Sequence, residues 1–583
     1  MQPVKEITEC CYRYILPKIS SEEEQVVEPI PAQEVIQAIK SGKSIEIINA
    51  VIEGPLNLES LVVNGKIKIQ GTKIKGQLDC SYAEFKQVLD FHSTTFHSEV
   101  KFTGATIAKD IILRNTTFHE KSEFTDMIVE GALYGELCKF LNEVDFVATQ
   151  IKRRAVFTKG IFEQKAMFTG FNITGTGFFD STVFIKEANF GSAQINGRAI
   201  FEGAIFKDDF NFASVRIGAC AEFKNTLFKK NAVFHMTQIE ESAFFHRANF
   251  EGTADFRYIQ VGSNVEFNGA IFNRSAIFNS AHIEGHALFN PDSSSESQSI
   301  ERVESNPTIF KGEADFAATV FNGGATFLGA RFSECADFFS SRINMDAGFA
   351  DAVFYKDVRF LNASFRTLFF SKSQPNAGNQ FKGKIDLRGC TYDRIEPISV
   401  WEQLMDQLEP YDRQPFSYLE QTFRRAGEDF LANKVYYERK RTESARISVR
   451  RTGGWLLDRL HWWLTGYGVQ LWRILIAFAV ILIIGTFIFH IGGAVELKQT
   501  APSYPVTGNE QEGQQVVALT YIEAFWVSFN LFLPVSIPSG AEWKPSSRIL
   551  WGIKFTSIAT VWKLLGWMLV PIGIAGLTGW LKR

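Results

Sequence analysis

Phenylalanine returns every eleven residues from Phe146 to Phe289 without a miss. No other property of this 583-residue chain restricts its fold so tightly. A second apolar series stands five residues after members of the first. It alternates between Phe (Phe162, Phe184, Phe206, Phe228, Phe250, Phe272) and β-branched aliphatics (Ile151, Ile173, Ile195, Ile217, Ile239, Val261, Ile283). Apolar side chains therefore arrive at steps of five and six, and the pattern closes after twenty-two residues. A fixed period of this length marks a solenoid, in which each repeat buries its apolar face only against its neighbours.

The stride selects the kind of solenoid. A helix face needs apolar residues three and four apart and a lone strand needs strict alternation, so a five-and-six spacing fits neither. It fits a chain that turns a corner after every short extended run, with four runs per coil and one inward side chain per run. Small residues stand two before many of the inward aromatics, as in Ala188 before Phe190, Ala199 before Phe201 and Ala287 before Phe289. They are expected to fill the inner corner beside each ring. The triplets Ala188-Asn189-Phe190, Ala248-Asn249-Phe250, Ala254-Asp255-Phe256, Ala314-Asp315-Phe316 and Ala336-Asp337-Phe338 resemble the pentapeptide-repeat family. That resemblance implies a right-handed quadrilateral β-helix, here with alternate sides lengthened to six residues.

The register can be followed from Ile69 to Phe124, weakens around Gly135, and resumes in phase at Phe140 and Phe146. A polar segment from Pro291 to Thr308, rich in Ser and Glu, resets it and reads as a loop thrown out from a corner. The pattern returns from Phe310 to Phe365. Roughly thirteen coils spaced about 4.8 Å apart predict a rod of about 60 Å. Ahead of it, residues 1 to about 28 read as a mobile lead, and a short helix from Pro31, with Val35, Ile36 and Ile39 on one face and Gly42 past its end, reads as a cap over unpaired strand edges.

Composition changes after Gly383. Trp401–Leu408, Pro415–Arg425 and Glu428–Arg446 read as helices, the last two as a hairpin in which Phe416, Leu419 and Phe423 face Leu431, Val435 and Tyr436. A basic tail follows, carrying Arg439, Lys440, Arg441, Arg446, Arg450, Arg451 and Arg459. Two apolar runs, at about 472–495 and 561–581, are long enough to cross a bilayer. Residues from about 518 to 535 are apolar and aromatic but carry Glu523 and end at Pro534, which predicts a re-entrant or interfacial segment. Basic residues crowd before the first span and after the second, so a multi-pass cell-membrane protein with both termini cytoplasmic is expected. Tyr418–Arg441, Gly454–Leu460 and Gly566–Arg583 resemble bacterial membrane-anchored pentapeptide-repeat proteins, some of which have the layout of a two-span ion channel with a pore segment between the spans.

Signals for chemistry are sparse. No nucleotide-binding fingerprint follows a strand and opens a helix, and neither an acid–base pair nor a nucleophile constellation stands out, so no enzyme, cofactor or metal is expected. Thr465-Gly466-Tyr467-Gly468 is similar to a potassium-channel filter but precedes the first span, and a helix-ending turn accounts for it. His97 and His119, twenty-two apart, should stack in adjacent coils, with no third metal ligand in sight. His235 and His246 should point to opposite sides, and Gly175-Thr176-Gly177 reads as a coil corner. Net charge is −3, and 15 Lys and Arg face 13 Asp and Glu from Ile151 to Asn290, so neither nucleic-acid binding nor acidic mimicry of it is expected. The seven scattered cysteines include no C-x-x-C pair and fit a reducing compartment, and Met1–Ser20 has no long apolar core of a secretory signal.

These readings combine into a β-solenoid followed by a helical neck and a two-span α-helical membrane domain. The expected limits are 1–66 for lead and cap, 67–383 for the solenoid, 384–460 for the neck and 461–583 for the membrane domain. The leading functional expectation is a non-catalytic protein that presents its cytoplasmic solenoid to an unknown protein partner at the lipid bilayer. The alternative is an oligomeric pore without potassium selectivity, for which Glu523, Ser528, Asn530 and Pro534 are the candidate residues of the pore or re-entrant segment. That alternative requires a homo-oligomer.

Overall fold

The computed structural model describes residues 4–16, 28–292, 306–370, 380–446, 452–470, 472–491, 494–497, 518–533, 543–550 and 553–577. They fall into two compact units, Met1–Pro415 and Phe416–Arg583.

The first unit is a four-sided β-solenoid. Most of its strands are two residues long, and each pairs in parallel with the strand twenty-two positions away, as in Leu78↔Val100, Phe96↔Phe118 and Ile111↔Leu133. Two ladders of 15 strands each form two sides, and a 30-stranded sheet supplies the other two, giving about 15 turns. At roughly 4.8 Å per turn the stack is about 70 Å long. The polar insertion leaves the ladder unbroken, because Ala276 pairs with Ala314 directly across it.

Stacked rings fill the tube. Phe168 lies on Phe190 at 4.5 Å and 4°, Phe184 on Phe206 at 5.0 Å and 3°, and Phe250 on Phe272 at 4.9 Å and 2°. Rings on neighbouring sides meet edge to face, as Phe190 and Phe201 do at 5.4 Å and 89°, which sets the positive edge of one against the negative face of the next. The inner corners hold the small residues, and where these are threonines most hydroxyls donate to a carbonyl one coil back: Thr94 to Ile69, Thr116 to Phe91, Thr182 to Phe157, Thr226 to Phe201. A buried hydroxyl is thereby satisfied without interrupting the stack. Where the register weakens, buried Gly135 leaves a gap that the Phe157 ring of the next coil closes.

One coil departs from this order. Phe210 stands in the ladder position that Ala188 and Ala232 occupy on either side. Its ring crowds Phe206 at 4.1 Å, and Phe212 is tilted away from both of its stacking neighbours, by 56° from Phe190 and 61° from Phe234.

Corners are closed by residues in the left-handed region, recurring every eleven positions through Ser181, Ser192, Gly203, Ser214, Asn225, Met236, Arg247 and Tyr258. For a non-glycine residue this conformation costs on the order of 1 kcal/mol, which the ladder hydrogen bonds on either side offset. Ser192 N–H, for example, donates to the Ala213 carbonyl at 2.9 Å.

Both ends differ from expectation. The segment expected to be a mobile lead contains an antiparallel hairpin of Val4–Ile7 and Cys11–Ile15, and its second strand pairs in parallel with Ser44–Ile48. Alternating Tyr12 and Tyr14 supply the buried face, a period-two signal hidden among the charges around it. Helix α1 (Ala32–Lys40) follows Pro31 and buries Val35, Ile36 and Ile39. Pairing in coil register already begins at Ile30↔Ile52 and Ile45↔Ile67, where the inward residues are aliphatic, and the ladders continue to Tyr392, paired with Phe365. Over the last turns two sides merge into continuous strands, Arg342–Gly348, Ser364–Phe369 and Thr391–Glu396, before helix α2 (Trp401–Asp406).

The second unit is helical. Helix α3 (Arg413–Arg425, beginning at the boundary) buries Phe416, Leu419 and Phe423, and α4 (Asp429–Arg446) buries Ala432, Val435 and Arg439. Arg439 reaches back to the Ser417 hydroxyl at 2.7 Å and to Glu420 at 3.4 Å. Helix α5 (Thr452–Thr465) leads into α6 (Trp472–His490), then come α7 (Tyr521–Phe532) and α8 (Phe555–Leu577). Helices α6 and α8 are long and apolar enough to cross a membrane. The first ends at His490, short of the expected 495, because Val495–Leu497 pairs as a strand with Trp543–Pro545. The second begins at Phe555, ahead of the expected 561.

Candidate functional site

Helix α7 has 12 residues, which span about 18 Å and fall short of a hydrocarbon core about 30 Å thick. Its start is fixed by a capping box: Thr520 Oγ1 accepts from Glu523 N–H at 3.4 Å, and the Glu523 carboxylate accepts from Thr520 N–H at 2.8 Å. His490 at the end of α6 donates from Nδ1 to the Leu519 carbonyl at 2.8 Å and stacks on Tyr521 at 3.8 Å, tying that start to the first apolar helix.

The four candidate residues have separate surroundings. Glu523 is exposed and engaged in the cap. Ser528 is fully buried and accepts from the indole N–H of Trp562 on α8 at 3.1 Å. Gly485 of α6 lies against the same pair, so that a Cβ there would strike the Ser528 hydroxyl. Ser528 thus sits where three helices of one chain meet. Asn530 is half-buried in the last turn of α7, and Pro534 lies outside the described residues. Gly566 brings α8 against the Phe532 carbonyl so closely that no side chain fits between them.

The Thr465–Gly468 segment is a turn between α5 and α6, with Gly466, Tyr467 and Gly468 all at positive φ. Tyr467 is buried and its hydroxyl donates to Asp458 at 3.2 Å, an acid that also accepts from Ser444 on α4. The helix-ending turn expected here closes α5, a helix to which the sequence reading gave no bounds of its own within the neck and which carries Arg459 of the basic tail.

On the solenoid, His97 and His119 stack at 4.7 Å and 18°. Among the described residues no group of three His, Cys, Asp or Glu side chains is arranged to hold a metal. His235 lies beside Tyr258, whereas His246 pairs with Glu266 at 2.9 Å. Gly175 brings its backbone against the Arg153 carbonyl, as a tight corner requires. Outward charges pair between adjacent coils, with the same twenty-two-residue separation as the strands: Lys68 with Glu46, Arg114 with Glu136, Lys165 with Glu187. A groove of about 690 Å³ beside the last turns is lined by Asp315, Asp337, Asp357, Arg359, Lys384, Asp386 and Glu409. Arg359 pairs with Asp337 and Lys384 with Glu409, but acids outnumber bases in this lining. Burial, reinforced by Asp337, raises the Asp315 carboxyl above the usual range.

A feature absent from the sequence reading is a set of large apolar side chains at left-handed corners. Tyr82, Leu137, Met236 and Tyr258 all have φ near 57° and are 65%, 50%, 53% and 49% exposed. Met236 and Tyr258 occupy the same corner of consecutive turns. Their signal was available in the eleven-residue register, at positions where Ser, Asn and Gly prevail.

The fold defines a structural repeat protein, a β-solenoid of about 15 turns joined to helices of which two can span a membrane. Residues 81–128 match the family profile described as Pentapeptide repeats (9 copies). The repeats, the solenoid and the two C-terminal apolar helices together fit a membrane-anchored pentapeptide-repeat protein. No curated protein and no solved structure matches the chain.

Proposed function

We propose that the protein is a non-catalytic scaffold, anchored in the cell membrane by α6 and α8, that presents its solenoid in the cytoplasm for another protein to dock on. The exposed apolar corners carry this reading. A bulky side chain at positive φ is strained where Gly is not, and a Tyr, Leu or Met about half exposed there recovers only part of what full burial would give. A partner that covers the ridge supplies the rest. Apolar residues on the outside of α6 (Leu475, Ile483, Phe487) and α8 (Leu564, Met568, Ile574) supply the lipid-facing surface of the anchor.

The test places a photo-crosslinking residue at Met236 or Tyr258 in the native host, with Lys229 as a control on another part of the coil. The scaffold reading predicts one discrete adduct protein from the corner sites and none from the control. Equal, diffuse adducts from all three sites would sink it.

A pore is the second reading, favoured by the short α7 packed between two apolar helices with Glu523 exposed on its first turn. In that case Glu523 is one acid of a ring, and reconstituted protein carries cation currents whose selectivity shifts with Glu523→Gln. A monomer silent in bilayers leaves the scaffold alone.

A further inference from the structure

We infer that the junction of α5 and α6 is a binding site for the headgroup of an anionic phospholipid. This rests on the membrane-anchor reading and adds a ligand to it.

Trp462, near the end of α5, is the centre of the site. The guanidinium carbons of Arg459 and Arg473 lie 5.9 Å and 5.5 Å from its ring centre, from α5 and from the first turn of α6 respectively. The indole is held from behind by its own N–H, which donates to the Tyr437 hydroxyl at 3.0 Å. Arg473 is fixed by a 3.1 Å hydrogen bond to the Trp462 carbonyl and lies 6.0 Å from the Trp472 ring. Among the described residues Arg473 makes no ion pair, and the nearby acid on α5, Asp458, accepts from Ser444 and Tyr467. Two guanidinium groups are therefore gathered on one aromatic plate, with Arg473 directed by its neighbours and not by a carboxylate.

The surroundings identify the anion. Trp463 and Trp472 are both exposed, flank the site, and stand at the point where the first apolar helix begins. Exposed indoles at the end of a span belong at headgroup level, with their rings among acyl chains and headgroups. Arginine binds phosphate through a planar fork, and basic side chains at this depth are attracted to anionic lipid. An acidic peptide would satisfy the charges but would leave the two exposed indoles in water.

Full-length protein is reconstituted into vesicles of phosphatidylcholine and phosphatidylglycerol in equal amounts and extracted in mild detergent. Its co-purifying lipids are then counted by mass spectrometry. The ratio of phosphatidylglycerol to phosphatidylcholine among them is expected to be about fivefold above the input ratio. The enrichment should fall to the input ratio in Arg473→Gln and in Arg459→Gln, persist in part in Arg473→Lys, and be untouched by Lys152→Gln on the solenoid. Circular dichroism of each variant, matched to wild type, excludes misfolding as the cause. Enrichment that survives both glutamine variants, or falls equally with Lys152→Gln, overturns the site. So does displacement of the bound lipid by an acidic peptide that binds without lipid. Protein that incorporates but shows no preference defeats this inference alone, whereas protein that never incorporates defeats the anchor and the site together.

Discussion

Replacing Phe210 by alanine tests whether ring stacking or mere bulk organises the core. Phe210 is fully buried, so loss of its side chain costs about 3–5 kcal/mol by analogy with other large aromatics. The substitution also restores the small residue found at Ala188 and Ala232, which frees Phe212 to lie flat between Phe190 and Phe234. Stacks elsewhere close to 4.5–4.8 Å, as for Phe168 on Phe190 and Phe234 on Phe256, against 6.0 Å and 5.7 Å around Phe212. Two regained stacks return about 0.5–1.5 kcal/mol each, leaving a net cost near 2 kcal/mol. Phe234→Ala has no such compensation and should cost the full 3–5 kcal/mol. Hydrogen exchange of the full-length protein reads both as opening free energies of amides between residues 199 and 255, because a solenoid loses stability locally. If Phe210→Ala opens its coil as much as Phe234→Ala does, bulk alone matters and the stacking argument fails.

Deleting Phe212–Val233, one whole turn, should leave the solenoid's circular dichroism and melting nearly intact, while deleting Phe212–Glu222 should not, since half a turn carries every later face to the opposite side; equal outcomes would contradict the four-sided coil. His97 is held below the ordinary imidazole range by burial first, then by His119, Lys73 and Lys75. The unfolded chain therefore binds the extra proton more readily near pH 6.5, and stability present above that pH is lost as pH falls through the lower folded value. Exchange protection around residues 95–119 should decline from pH 7.5 to 5 beyond the intrinsic pH effect, and His97→Asn should flatten that decline. Gly566→Ala drives a methyl group into the Phe532 carbonyl and should lower the melting temperature of detergent-solubilised protein by several degrees, whereas Gly427→Ala, where a Cβ meets nothing, is strained only by its backbone and should do less. Equal effects would mean that α7 and α8 are not in close contact.

The solenoid was legible because each side of a coil contributes one inward residue at a fixed interval, and aromatic residues mark that interval conspicuously from Phe146 to Phe289. Where the inward residues are Ile45, Ile52 and Leu56, the same geometry is written in residues common to any core, and the first coils were missed. The N-terminal hairpin escaped for a related reason: its buried face rests on two tyrosines within a charged stretch, and its pairing partner lies some thirty residues on. The left-handed corners were half legible, since Ser181, Ser192 and Asn225 are ordinary turn residues, but Met236 and Tyr258 at the same position carry no turn signal. In the membrane domain, hydropathy placed α6 and α8 but could not show that Ser528 turns towards Trp562, because that contact depends on the glycine at position 485 in a different helix.

Topology is the most direct test of the scaffold account, and the chain's own cysteines report it. All seven lie at or before Cys390, and Cys10 and Cys335 are exposed on the solenoid unit. A membrane-impermeant maleimide should label them in inside-out vesicles and leave them untouched in right-side-out vesicles, while a single cysteine introduced at Gly508, in an otherwise cysteine-free chain, should show the reverse. Labelling of Cys10 and Cys335 from the outside would place the solenoid on the wrong side of the membrane and contradict the proposed function.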